Sequence, residues 1–305
     1  LPDFTLPQPV KDLQASIEDL RRGGGLLLRH LEENPQVLIH YSQASIHAAA
    51  IENRTEEFLS ARSRWCRLLD DAHVPYRFIA YGEIERGDLA KLGVRILVLP
   101  QSTAMSDREI REVERFAAAG GLVLGDADSN VMNEHCTLRA KGGLRGLVPF
   151  DLPSATVETL VKVAGERLPR PEIGFSETQG TGVRTFVYQP SDGGKERYLG
   201  FVRETNAKGP ETVEIKVSLP WSMFVHDMRQ SRALGRQKTF PVRLEKSQAA
   251  FFALLPNKAG CLSMRVSPTV TAGEVVSIEL KNQFKGQDVW CAMKQYKEDR
   301  SSKEF

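Results

Sequence analysis

The chain has 305 residues, of which 41% are hydrophobic and 26% charged, and its 41 basic and 39 acidic side chains leave a formal charge of +2. That balance excludes a disordered chain, which lacks the apolar residues to offset ordering entropy. It also argues against a dedicated nucleic-acid binder, which carries a basic face. No apolar run reaches the roughly 20 residues a bilayer requires, so no membrane span is expected.

The length predicts two domains and part of a third. The chain opens on Leu1, and LPDFTLPQPVKDL has neither the basic nor the apolar region of a signal peptide. It therefore reads as a piece of a longer protein. Cys66, Cys136, Cys261 and Cys291 form no C-x-x-C pair, which removes zinc ribbons and thioredoxin-type redox sites.

Val10, Leu13, Ile17 and Leu20 recur at helical spacing and stop at Gly23, predicting a first helix. QVLIHYS then reads as a buried strand. In EEFLSARSRWCRLLDDAH, one helical face collects Phe58, Ala61, Trp65, Leu68 and Leu69. VPYRFIAY and RILVLP read as the next two strands. Ser106 and Glu109 form a capping box, followed by a stripe of Ile110, Val113, Phe116 and Ala117 and a helix-ending Gly120. GLVLGDAD reads as a fourth strand. Alternating strands and helices imply a parallel sheet covered on both faces, either flavodoxin-like or class I amidotransferase-like.

From residue 183 the period becomes two. VRTFVYQ and RYLGFVR flank the turn residues Ser191-Asp192-Gly193-Gly194, which predicts a hairpin. In TVEIKVSL, Val213, Ile215, Val217 and Leu219 face one way. MFVHDM, TFPVRL, AAFFALLP, LSMRVSP and EVVSIEL follow at short spacings. The fold class is thus α/β plus all-β, with the parallel sheet followed by an antiparallel β-sandwich.

Two loops fall at the C-terminal edge of the parallel sheet, where open α/β sheets bind ligands. Tyr41, Ser42, Gln43 and Ser45 follow the first strand, and either meet a ligand or cap the next helix. Asp126, Asp128, Glu134 and His135 follow the fourth, and either contact a cation or a sugar hydroxyl or form a polar loop that caps itself. Val131 and Thr137 stand where an EF-hand needs Gly and Glu, so that motif fails. His40 and His47 do not make a helical metal pair. No cofactor and no metal are expected.

An amidotransferase needs a Cys on a Gly-flanked elbow. QSTAMSDRE and DADSN hold no Cys, and Cys136 in NEHCTLR lacks the Gly frame. In the β half, Trp221, Trp290, Tyr188 and Tyr198 either pack in the core or stack on sugar rings.

The order of IHYSQASIHAA, the Trp65 helix, VPYRFIAYGEIERGDL and RILVLPQSTAMSDREIREVERFAAAGGLVL resembles the trimerisation domain of family 42 glycoside hydrolases, the bacterial β-galactosidase type. FVHDMRQSRALGRQKTFPVRLEKSQAAFFALLP resembles the small β-domain that follows it in that family. The match runs over roughly residues 15–256. The resemblance implies that 1–33 is the helical tail of a missing N-terminal (β/α)₈ barrel and 34–167 a trimerisation-type domain. Residues 168–182, rich in Pro, Gly, Thr and Ser, read as a linker, 183–256 as the β-sandwich domain, and 257–305, which lie beyond the resemblance, as the start of a further immunoglobulin-like module. The resemblance also implies that the catalytic glutamates lie in the barrel, so no catalytic residue is expected here. The expected role is a non-catalytic scaffold that self-associates as a homotrimer. A carbohydrate-binding or cell-surface interaction module is the alternative, which makes carbohydrate the other partner to test.

Overall fold

The computed structural model describes residues 37–176, 178–190 and 194–258, together with Ile17, Pro35 and the strand backbones at 30–32, 262–266 and 278–282. The chain divides into two compact units, 1–256 and 257–305. In the first unit the elements run β1 (His30–Glu32), β2 (Val37–Tyr41), α1 (Gln43–Ile51), α2 (Thr55–Asp71), β3 (Tyr76–Ala80), α3 (Tyr81–Glu85), α4 (Asp88–Lys91), β4 (Ile96–Leu99), α5 (Asp107–Ala118), β5 (Leu122–Gly125), β6 (Leu147–Pro149) and α6 (Val157–Ala164). There follow β7 (Gly174–Ser176), β8 (Val183–Pro190), β9 (Arg197–Arg203), β10 (Thr212–Asp227), β11 (Arg232–Glu245) and β12 (Ala249–Leu255).

Five strands form a parallel sheet in the order β3-β2-β4-β5-β6. Its central strands are buried on both sides, so they read as continuous apolar runs. Alternate residues split them between two layers. Val37, Ile39, Ile96, Val98, Leu122 and Leu124 pack against Trp65, Leu68 and Leu69 of α2 and Leu160 of α6. Leu38, Leu97, Leu99 and Val123 pack against Val113 and Phe116 of α5. Each such fully buried Leu or Ile contributes about 2 kcal/mol. The five residues expected on the inner face of α2 are its five buried ones. α5 starts at the expected capping box, with the Ser106 hydroxyl accepting from Glu109 N and Glu109 accepting from Ser106 N. Its end is met by Gly120 at φ 96°.

The antiparallel half is one seven-stranded sheet, β1-β8-β9-β12-β10-β11 with β7 on β10. Its layers come from curling: Phe240 of β11 and Phe252 of β12, from strands flanking β10, have ring centroids 5.3 Å apart. Phe175 of β7 likewise reaches Phe201 of β9 at 5.8 Å. The residues expected to face inward on TVEIKVSL are buried.

Three local expectations differ. TVEIKVSL and MFVHDM are not two strands but the halves of β10, whose pairing register with β11 shifts between Ser218 and Met223. Within the expected linker, Gly174–Ser176 form β7, because Lys216–Ser218 of β10 offer an unpaired edge there. His30–Glu32, read as part of a helical lead-in, pair with Tyr188–Pro190 of β8. The parallel sheet is thus inserted between the first and second strands of the antiparallel one. The helix expected over residues 10–20 lies outside the described residues apart from Ile17, which is helical. In the second unit, Leu262–Val266 and Ile278–Asn282 pair antiparallel as β13 and β14.

Candidate functional site

At the C-terminal edge of the parallel sheet, three loops are knitted together. Ser42 caps α1 by accepting from Ser45 N at 3.0 Å. The hydroxyls of Ser42 and Ser45 donate to Ala104 O at 3.0 and 2.9 Å, and Ala104 N donates back to Ser45 Oγ at 3.0 Å. Both serines are buried. Their polar atoms satisfy the backbone after β4 and are not presented to a ligand.

Beneath them, His40 sits between two partners. Its Nδ1 is 2.9 Å from Ser102 Oγ and its Nε2 is 2.9 Å from Glu109 Oε1, with all three residues buried. The order Ser, His, Glu is that of a nucleophilic triad. Here, however, it is sealed beneath the segment 129–132, and Glu109 is also committed to the α5 cap. Gln101, just after β4, takes a left-handed φ of 42°. A nucleophile elbow uses such a strained turn, but Gln101 carries no nucleophile.

Asp126 accepts from Gln101 N at 2.6 Å, and burial raises its carboxyl above the usual range against that hydrogen bond. The segment after it folds over the β4 loop through Asn130 N to Ser102 O and Met132 N to Thr103 O, both 2.9 Å. Arg139 fastens it, donating to Met105 O at 2.7 Å and pairing with Asp107 at 2.6 Å. The Asn130 side-chain oxygen is buried and accepts no hydrogen bond from the described residues. Cys136 directs its thiol at Ala44 O, 3.6 Å away, and His135 beside it is exposed.

The eight anticipated residues thus divide. Ser42, Ser45 and Asp126 are brought together as loop anchors. Tyr41 and Gln43 lie on the surface, with Gln43 bonded to His47 at 3.0 Å. Asp128 is half-buried and electrostatically coupled to Arg54. Glu134 and His135 lie on an exposed turn, 4.0 Å from each other. Among the described residues no three His, Cys, Asp or Glu side chains gather as a metal site would require.

A second cleft, of about 260 Å³, opens where the edge of the parallel sheet meets the antiparallel sheet. It is lined by Asp70 at the end of α2, by His73, by Tyr76 and Phe78 on β3, by Glu172, by Phe175 on β7, and by Arg184 and Phe186 on β8. Asp70 Oδ2 is 3.3 Å from Arg184 Nε, and the angle leaves that N–H without a well-formed hydrogen bond. Burial nonetheless pushes the Asp70 carboxyl up to about 6, against the pull of Arg184. His73 lies 2.5 Å from Thr178 Oγ1 and 3.1 Å from Thr185 Oγ1, its ring 4.8 Å from Phe175, and burial lowers its pKa to about 4. Burial raises the phenol of Tyr76, which shares a hydrogen bond with Cys66. No sequence pattern singles these residues out, since Asp70 and Arg184 look like ordinary surface charges until the chain folds.

Of the aromatics anticipated in the β half, Tyr198 is buried and stacked on Phe251 at 5.9 Å. Trp221 is exposed at the β10 irregularity, and Trp290 lies outside the described residues.

Searched against known protein families the chain matches none, and no curated protein matches it in sequence. Solved structures do share its fold. An apo exo-carrageenase of GH42 from Bacteroides ovatus superposes with a TM-score of 0.54 at 16% identity, over 81% of this chain and 33% of its own. A catalytic mutant of a GH42 beta-galactosidase from G. stearothermophilus gives 0.57 at 12% identity, over 80% and 43%. The beta-galactosidase from Bacillus circulans sp. alkalophilus gives 0.53 at 12%, over 78% and 44%. This chain therefore has the fold of part of these enzymes and spans less than half their length.

Proposed function

We propose that this chain is the non-catalytic assembly region of a β-galactosidase-like glycoside hydrolase, and that it self-associates as a trimer. The observation that carries this reading is the asymmetry of the structural match. GH42 folds account for about four fifths of this chain, while this chain accounts for 33% to 44% of theirs. The remaining part is where the reading places the barrel, the glutamate pair and the hydrolysis of terminal β-galactosides.

The chemistry within the chain supports a scaffold. Glycoside hydrolysis needs two carboxyl groups facing one sugar, and the acidic residues at the sheet edge are tied to backbone or lie apart. The parallel sheet serves as an amidotransferase-like platform whose elbow position carries Gln101 in place of a nucleophile. A ring of three copies needs two different complementary surfaces on each. Exposed apolar side chains are available on separate elements, with Ile51 and Leu59 on α1 and α2, Val148 on β6, and Val161 and Val163 on α6. Under this reading, the loops around Tyr41 and Glu134 shape access to a neighbour's barrel without taking part in bond cleavage.

Sedimentation equilibrium of the purified 305-residue chain at micromolar concentration tests the proposal. Three times the monomer mass is expected, with no hydrolysis of a nitrophenyl β-galactoside. A monomer, or turnover abolished by one substitution in this chain, overturns it.

A further inference from the structure

We propose that the cleft between β3 and β8 binds a neutral oligosaccharide. Sugars present apolar ring faces and a rim of hydroxyls, so a site for them combines aromatic walls with a few oriented polar groups. The cleft has both. Phe78 is 42% exposed and stands edge-on to Tyr76, ring centroids 6.3 Å apart at 83°. An exposed ring braced from the side is a platform rather than a core residue. Phe186 faces the cleft from β8, with the Arg184 guanidinium 5.5 Å over its ring.

The polar groups are held in place before any ligand arrives, which lowers the ordering cost of binding. Arg184 is held near Asp70 by an ion pair at 3.3 Å that leaves its Nε–H without a well-formed hydrogen bond, and its side chain is 41% exposed, so its donors remain available to a ligand. Glu172 is steadied by Arg197 at 3.8 Å and supplies acceptors.

Charge selects the ligand class. The cleft is lined by two carboxylates, Asp70 and Glu172, and by the guanidinium of Arg184, and each carboxylate is paired, Asp70 with Arg184 and Glu172 with Arg197. An anionic ligand meets the carboxylates and a cationic one meets Arg184. A hydrocarbon would desolvate all three without replacing their hydrogen bonds. A neutral polyol with an apolar ring face avoids each cost.

The cleft is lined by a single chain, so no neighbouring copy is needed to complete it. A monomeric preparation that still binds sugar would refute the trimer and leave the site standing.

The test is saturation-transfer NMR and titration calorimetry on the 305-residue chain. The probes are lactose, galactobiose, cellobiose, xylobiose and their trisaccharides. At least one is expected to bind, with affinity falling about tenfold in Phe78→Ala and in Phe186→Ala. Phe78→Trp keeps the platform and should retain binding, which separates loss of stacking from loss of folding. Absence of transfer from every probe overturns the site, and so does binding unchanged in both alanine variants.

Discussion

Asp70 Oδ2 lies 3.3 Å from Arg184 Nε, and this ion pair joins the end of α2 to strand β8 across the two sheets. Burial outweighs the attraction and sets the folded-state pKa at about 6, above the ordinary 3.8. The folded chain thus binds this proton more tightly than the unfolded one. The stability it contributes is complete below pH 3.8 and is lost as pH rises through about 6. Asp70→Asn should remove that slope. Between pH 4 and 7, the stability difference between wild type and variant should change by about 2–3 kcal/mol in urea titrations. A difference that stays constant over that range would contradict the assignment.

His73 runs the other way. Its folded-state pKa of about 4 lies below the ordinary 6.5. Its stability contribution is present above pH 6.5 and is lost as pH falls toward 4. From pH 4 to 6 the two residues therefore oppose each other, which flattens their joint effect in the wild type. His73→Asn should expose the Asp70 slope, with stability falling as pH rises, and Asp70→Asn should expose the reverse. Denaturant midpoints taken at half-unit pH steps decide between them.

The buried pairing of His40 with Glu109 should be among the costly polar contacts to break. Glu109→Ala removes the partner of His40 Nε2 and the acceptor for Ser106 N together. It is expected to cost about 3 kcal/mol, against about 1 kcal/mol for Ser106→Ala. A double-mutant cycle with His40→Ala should give a coupling of about 1 kcal/mol or more. Additive losses would mean that the contact carries no energy of its own.

Arg203 is a buried guanidinium that donates to the carbonyls of Thr181, Pro210, Glu211 and Leu244 at 3.2, 2.5, 2.6 and 3.3 Å. Lys cannot reproduce that fork. Arg203→Lys should therefore lower stability by about 2–4 kcal/mol, nearly as much as Arg203→Met, since both strand buried acceptors. A lysine variant melting with the wild type would show the carbonyls satisfied some other way.

Much of this fold is legible in local pattern. The apolar strand runs, the α2 face around Trp65 and the Ser106 cap are set by neighbours in sequence, and each forms where the spacing places it. The union of two short segments into β10 is not legible, because Pro220 lies between them and the β11 pairing that spans it, with its register shift between Ser218 and Met223, is tertiary. Nor is β7, which is a strand only because β10 lends it an edge. The candidate sites divide similarly. Ser42 as a cap follows from its position before an apolar helix. The partners of His40 lie 62 and 69 residues away, and the Asp70–Arg184 pair spans the two sheets. No periodicity reports such meetings.

The length of β10 carries a mechanical consequence. Sixteen residues long, it is gripped along both halves by β11, near its start by β7 and near its end by β12. A pulling force transmitted along it loads all three partners in shear at the same moment. Under tension the curled module should resist up to a single threshold and then rupture as one body, with no stepwise unzipping, making it a stiff coupling between whatever is tethered at its two ends.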